Sequence, residues 1–265
     1  MKTYIRFGCP MLLLSLLAAR PARSASFVEA TNFISFDDAE RGTYLYANSA
    51  FKIDDKTKFV PELLTLFTYR EGGENKFSTT HGYLRLTLSR KDVAELGSWK
   101  LGLTGRYSPP TTTKAQQAGS FGALFGRMDL SRDSGPWSFL VREGIGAHLV
   151  RNGYQVNVPI ADAKGNQLLF NNLDVLVSYA LTSKLTVSTY FLSINTLVGP
   201  SSLGRQGTSW ANELWQEHEI RYIEKEWGNL EFALSLFHIS DYSPGADFKF
   251  LSSTASANFK IAKTF

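Results

Sequence analysis

The sequence predicts an all-β fold, a closed antiparallel up-and-down transmembrane β-barrel of about twelve strands. Three observations carry this reading. Strand-length segments alternate apolar and polar side chains, as a strand with two unlike faces must. The connections between them alternate between tight and long. Tryptophans gather at segment ends, where an amphipathic ring is most stable at the headgroup level of a membrane.

The N-terminus comes first. Residues 1–24 combine basic Lys2 and Arg6, an apolar run from Met11 to Ala19, and small residues Ala22 and Ser24 at the spacing read by a signal peptidase. A membrane anchor needs roughly 20 apolar residues, and this run ends at Arg20. Residues 1–24 are therefore expected to be a removed secretory signal, with cleavage after Ser24, and residues 25–265 the barrel.

Removing the leader changes the chemistry of what is left. Lys2, Arg6, Arg20 and Arg23 account for the whole formal charge of +4, so the mature chain is formally neutral and the basic pI of the full sequence gives no reason to expect nucleic acid as a partner. The single cysteine, Cys9, also lies in the leader. The mature chain has no disulfide, no thiol nucleophile and no thiolate metal ligand. No apolar run approaches the length of a spanning helix, which excludes a helical membrane protein. A soluble exported domain and a barrel remain.

The strands follow in order. Phe27 to Phe36 is the first, Tyr44 to Ile53 the second and Phe59 to Arg70 the third, the last two ending in turn-forming stretches, Asp54 to Thr57 and Glu71 to Asn75. Thr79 to Arg90 is the clearest. Leu84, Leu86 and Leu88 share one face, and Tyr83, Arg85, Thr87 and Ser89 the other. Such a segment has one face in oil and one in a polar space. Trp99 to Tyr107, Phe121 to Ser131, Trp137 to Val150, Leu168 to Leu181, Leu185 to Leu197, Glu213 to Ile223, Leu230 to Ser240 and Phe248 to Phe265 complete the twelve.

The even connections are mostly tight: DDKT, RDSG, TSK and EKEWG, with KDVAELGS longer. The odd ones include the long stretches from Ser108 to Ser120, Arg151 to Gln167 and Val198 to Asn212. Transmembrane barrels keep short turns on the periplasmic side and long loops outside, a parity that a soluble sandwich has no reason to maintain. Trp99, Trp137 and Trp227 sit at the short turns, and Trp210 and Trp215 toward the opposite end.

The C-terminal segment ANFKIAKTF places Phe259, Ile261 and Phe265 on one face and ends in an aromatic residue. It resembles the terminal strand of bacterial outer-membrane β-barrel proteins of the porin-like kind. The resemblance implies residence in the outer membrane, contact with its lipid, and recognition of the strand ending at Phe265 by the barrel-assembly machinery. Lys263 interrupts the apolar face close enough to the end to snorkel.

If the leucine faces meet lipid, the opposite faces line a lumen. Strands four to seven then offer Arg85, Lys100, Arg106, Arg127 and Arg142, with Asp129 among them; strands ten and eleven offer Glu217, Glu219 and Glu231, with Arg221 among them. Opposed basic and acidic walls would set a transverse field across a narrow pore for small polar solutes. The alternative is that these charges pair across the lumen and close it, giving a plugged structural or adhesive barrel.

A third reading is enzymatic. His238 and Ser240, two apart on one strand face, have the spacing a general base needs to reach a hydroxyl. This is similar to outer-membrane phospholipase A and to lipid A deacylases, although Asp241-Tyr242 stands where the phospholipase has Asn-Gly. His81, His148 and His218 show no metal-ligand spacing. Gly72-Gly73 and the Gly204 to Gly207 stretch are loop punctuation without a phosphate-cradle lysine. No cofactor and no metal are expected. Glu143 alternates outward with Phe139, Val141 and Ile145, which predicts a bulge or a shifted register there.

Overall fold

Alternation of side chains becomes a wall when every strand finds a partner on both sides. The computed structural model describes residues 24–35, 40–70, 76–111, 113–153, 155, 165–200, 208–241 and 255–265. The leader apart from Ser24, the loop glycines 72, 73, 204 and 207, and the expected strand start at Phe248 lie outside the described residues. Twelve strands run β1 (Ser24–Ser35), β2 (Glu40–Lys52), β3 (Thr57–Arg70), β4 (Lys76–Leu96), β5 (Trp99–Ser108) and β6 (Ser120–Ser134). They continue as β7 (Trp137–Val150), β8 (Gln167–Ala180), β9 (Leu185–Val198), β10 (Ser209–Glu224), β11 (Leu230–Asp241) and β12 (Ser256–Thr264). A short helix, Thr113–Gln117, interrupts the β5–β6 loop.

Each strand pairs antiparallel with its neighbours in sequence, and β1 pairs with β12 to close the barrel. The chain's last residue takes part in this closure. Phe265 N donates to Ser26 O at 2.7 Å and Ser26 N donates to Phe265 O at 3.3 Å. Closure removes the unpaired edges that would otherwise recruit other strands.

Leu88, Leu103, Leu124, Met128, Ile145 and Leu236 stand exposed on the convex face, and Leu234 retains 64% of its accessible surface. An aqueous protein pays heavily for such a surface, whereas a bilayer solvates it. The aromatic edge is equally plain. At the short-turn end Trp137 meets Tyr179 edge-on at 4.7 Å and Phe139 at 6.1 Å, with Trp99 6.5 Å from Phe139. Trp227 is exposed in the β10–β11 turn and Trp210 at the opposite end.

Four details differ from the sequence reading. β4 runs on to Leu96, so KDVAELGS is mostly strand and the turn is only Gly97-Ser98. A register shift between Arg90 and Ala94 takes residues out of the ladder, with Asp92 at φ 49°, which hid the strand by breaking its alternation. β10 begins earlier, at Ser209. Trp215 is not a girdle residue. It shares the inner face with Glu217 and donates from Nε1 to Glu213 Oε2 at 2.8 Å, as the two-residue period requires. No bulge occurs at Glu143, which pairs in register with Met128 and Leu173 and faces outward; the β6–β7 shift lies at Ser120/Gly122.

That shift has a cause in glycine. Gly122 sits at φ +122°, and a Cβ there would lie 2.7 Å from Ser108 O and 2.6 Å from the Tyr107 ring. Only glycine allows so close an approach with that backbone.

Candidate lumen site

The inner wall carries a belt of polar residues to which all twelve strands contribute. Register places Glu29 opposite Tyr46, Glu62 opposite Arg85, Thr87 opposite Arg106, and Thr104 opposite Arg127. The belt continues with Asp129 opposite Arg142, Arg142 opposite Asp174, Tyr190 opposite Glu217, Ser235 opposite Asn258, and Lys260 opposite Thr31. All eight charged residues singled out in the sequence, Arg85, Lys100, Arg106, Arg127, Arg142, Glu217, Glu219 and Glu231, lie on this inner face.

Where they pair, the partners are close along the wall. Lys260 Nζ lies 2.7 Å from Glu217 Oε1 and 2.7 Å from Glu219 Oε2, reaching across β11, where Ser235 Oγ donates to Glu217 at 2.6 Å. Arg221 bridges Glu219 at 2.7 Å and Glu231 at 3.6 Å. On the other side Thr87 Oγ1 donates to Glu62 Oε2 at 2.6 Å, and Arg106 Nε approaches that oxygen at 3.7 Å. Arg127 Nη2 donates to Asp129 at 3.2 Å, and Arg142 forms an ion pair with Asp174.

The two single-sign walls are therefore replaced by a belt of mixed sign. Each of these ion pairs joins one strand to itself, to its neighbour or to the next but one, so these charges pair along the wall. The partners missing from the sequence reading are Glu62, Asp174 and Lys260. Lys260 was readable, since Phe259 and Ile261 outward force it inward.

Aromatic rings lie flat against the same wall. Phe125 and Phe170 stack with centroids 5.5 Å apart, and the guanidinium of Arg106 sits 5.6 Å from the Phe125 centroid. Gly144 and Gly146 make room: a Cβ at either would collide with the Phe125 or the Phe170 ring.

Toward the short-turn end the lumen opens into a cavity of about 600 Å³. Lys52, Lys58, Lys100, Arg106, Arg127 and Arg142 line it, together with Glu62, Asp129 and the β2–β3 turn. That turn is tied by Asp54, whose Oδ1 accepts from Lys56 N at 2.8 Å and Thr57 N at 2.7 Å. These backbone donors hold the Asp54 carboxyl below the ordinary carboxylate range.

A second polar feature faces outward. His238 Nε2 lies 2.7 Å from Ser240 Oγ near the long-loop end of β11, both buried, with Gln216 opposite His238 in the ladder. The sequence pair is thus a hydrogen-bonded pair. His218 bonds Thr189 at 3.2 Å and His148 packs on Phe170, while the His81 side chain lies outside the described residues. Among the described residues no cluster of three or more metal-ligating side chains occurs.

No protein-family model and no curated protein sequence matches the chain. Solved structures match its fold. The COG4313 outer membrane channel from Pseudomonas putida F1 superposes with a TM-score of 0.66 at 11% identity, over 93% of this chain and 97% of the other. KdgM porin gives 0.51 at 7% identity over 90% and 99%, and NanC porin 0.51 at 9% over 89% and 98%. The chain has the fold of outer-membrane channels and porins.

Proposed function

We propose that this chain is a narrow outer-membrane channel that passes small polar solutes through its lumen, with the cleaved leader at 1–24 directing export. The observation that carries the reading is the 600 Å³ cavity lined by charged side chains on the inner face. A barrel closed purely for support fills its interior with side chains, whereas this one leaves room for a small solute beside groups that solvate charge. Arg85, Lys100, Arg106, Arg127, Arg142, Glu217, Glu219 and Glu231 form the lining in this reading. Liposomes containing the purified protein should swell in isotonic solutions of small sugars or amino acids faster than protein-free liposomes. Equal rates would leave the plugged, adhesive reading in its place.

Exposed Phe265, beside Lys263 whose ammonium lies 5.3 Å from the ring centroid, supports recognition of β12 by the barrel-assembly machinery. Deleting Phe265 should then lower the amount of assembled barrel in cells.

His238 and Ser240 favour a second activity, hydrolysis of lipid esters. In this reading the imidazole takes the Ser240 proton while Oγ attacks the ester carbonyl, then returns it to the leaving alcohol, and water then releases the fatty acid. Fatty acid release from phospholipid micelles, lost in His238→Ala, is the expected result for an enzyme. No release from the wild-type protein removes this reading and leaves the channel untouched.

A further inference from the structure

The ladder between β2 and β3 sets Lys52 directly opposite Lys58, both on the inner face with Asn48 and Glu62. Like charges facing each other across a strand pair oppose pairing. Among the described residues neither lysine makes an ion pair, and nor does Lys100, which lines the same cavity from β5. Three of the five carboxylates that line the cavity are engaged elsewhere. Asp54 Oδ1 is held by the Lys56 and Thr57 amides, Glu62 accepts from Tyr46 at 2.6 Å and Thr87 at 2.6 Å, and Asp129 pairs with Arg127, while Asp55 and Asp92 also line the cavity and Glu95 stands opposite Lys100 on the same face. Across the whole lining, nine basic side chains stand against five acidic ones.

The three deeper arginines of this cavity differ from the lysines. Arg106, Arg127 and Arg142 each carry a carboxylate on the wall, so their charge is largely spent on the barrel itself. The lysines at the mouth keep theirs. An ammonium is a compact point charge on a flexible stem, suited to gather around an anion without a fixed geometry.

We propose that Lys52, Lys58 and Lys100 form an anion-binding vestibule at the short-turn mouth, selecting solutes with two or more negative charges such as phosphate esters or polycarboxylates. The proposal rests on the channel reading for its role in transport, but the site itself exists whether or not the lumen conducts. Because it occupies one mouth, binding is one-sided. An anion reaches the lysines from the short-turn side without passing the belt, and from the other side only through it.

Pyrophosphate and citrate serve as probes, titrated into detergent-solubilised full-length protein by calorimetry at low salt. Saturable binding is expected, weakening as potassium chloride is raised because the charges are solvent-accessible. Lys52→Gln, Lys58→Gln and Lys100→Gln should each weaken it about threefold, the scale of an exposed ion pair, and the triple variant more. Lys225→Gln, in the β10–β11 turn away from the cavity, should leave it unchanged. Absent binding by the wild-type protein, or equal binding by the folded triple variant, overturns the vestibule. The two readings separate cleanly. Binding without liposome swelling keeps the site and removes the channel, while swelling without binding removes the site and keeps the channel.

Discussion

Lys260 on β12 reaches over β11 to place its Nζ 2.7 Å from Glu219 Oε2 on β10, and it holds Glu217 at the same distance. One ammonium thus satisfies two carboxylates on the inner wall and ties three strands near the β1–β12 seam. Replacing it by Met leaves both acids facing each other in a partly buried setting. Lys260→Met should lower unfolding stability in detergent by about 1–3 kcal/mol, the cost of stranding a charged hydrogen-bonding group. Urea titration followed by tryptophan fluorescence reads this directly.

Gly122 tests the backbone account of the β6–β7 register shift. Its φ of +122° and the 2.7 Å approach a Cβ would make to Ser108 O leave no room for a side chain. Gly122→Ala should destabilise the barrel by about 1–3 kcal/mol. Gly105→Ala, where a Cβ meets nothing within 4 Å, should cost far less in the same titration.

Gly146 tests the geometry of the lumen. Any side chain there must displace the Phe170 ring from the wall. Gly146→Leu should reduce single-channel conductance by narrowing the path, without altering the preference between cations and anions, since no charge changes. An unchanged conductance would mean that the Phe125–Phe170 stack lies off the route of ions.

Asp54 gives a pH dependence whose sign is fixed. Its carboxylate is stabilised in the fold by two backbone amides, so its value lies below that of the unfolded chain. The stabilisation is fully present above the unfolded value, about 3.9, and is lost as pH falls through the depressed one. Amide exchange at Lys56 and Thr57, corrected for intrinsic rates, should speed up on acidification in the wild-type protein. In Asp54→Asn that dependence should vanish.

The period of two was enough to find the strands and their faces, because a residue's side is fixed by parity once one face is known to be apolar. Leu84, Leu86 and Leu88 outward therefore required Arg85 inward. Parity failed where the ladder slips, as between Arg90 and Ala94, since a bulge costs the alternation that marks a strand. The charge partners were harder to read. Glu62 sits in a segment that is apolar on both faces near Val60, Leu63 and Leu64, so it does not announce a lumen role by composition, whereas Asp174, flanked by outward Leu173 and Val175, was readable by the same parity as Lys260. Pairing along the wall depends on stagger between strands, which no single segment records. His238 and Ser240 were legible as a pair because their spacing lies within one strand.

The central claim is that the lumen conducts, and planar bilayers test it most directly. Purified protein should produce discrete conductance steps, and Arg106→Glu with Arg127→Glu should shift the reversal potential in a salt gradient toward cations, since Glu62 and Asp129 then lose their partners. Bilayers that stay silent with folded protein inserted would contradict the account.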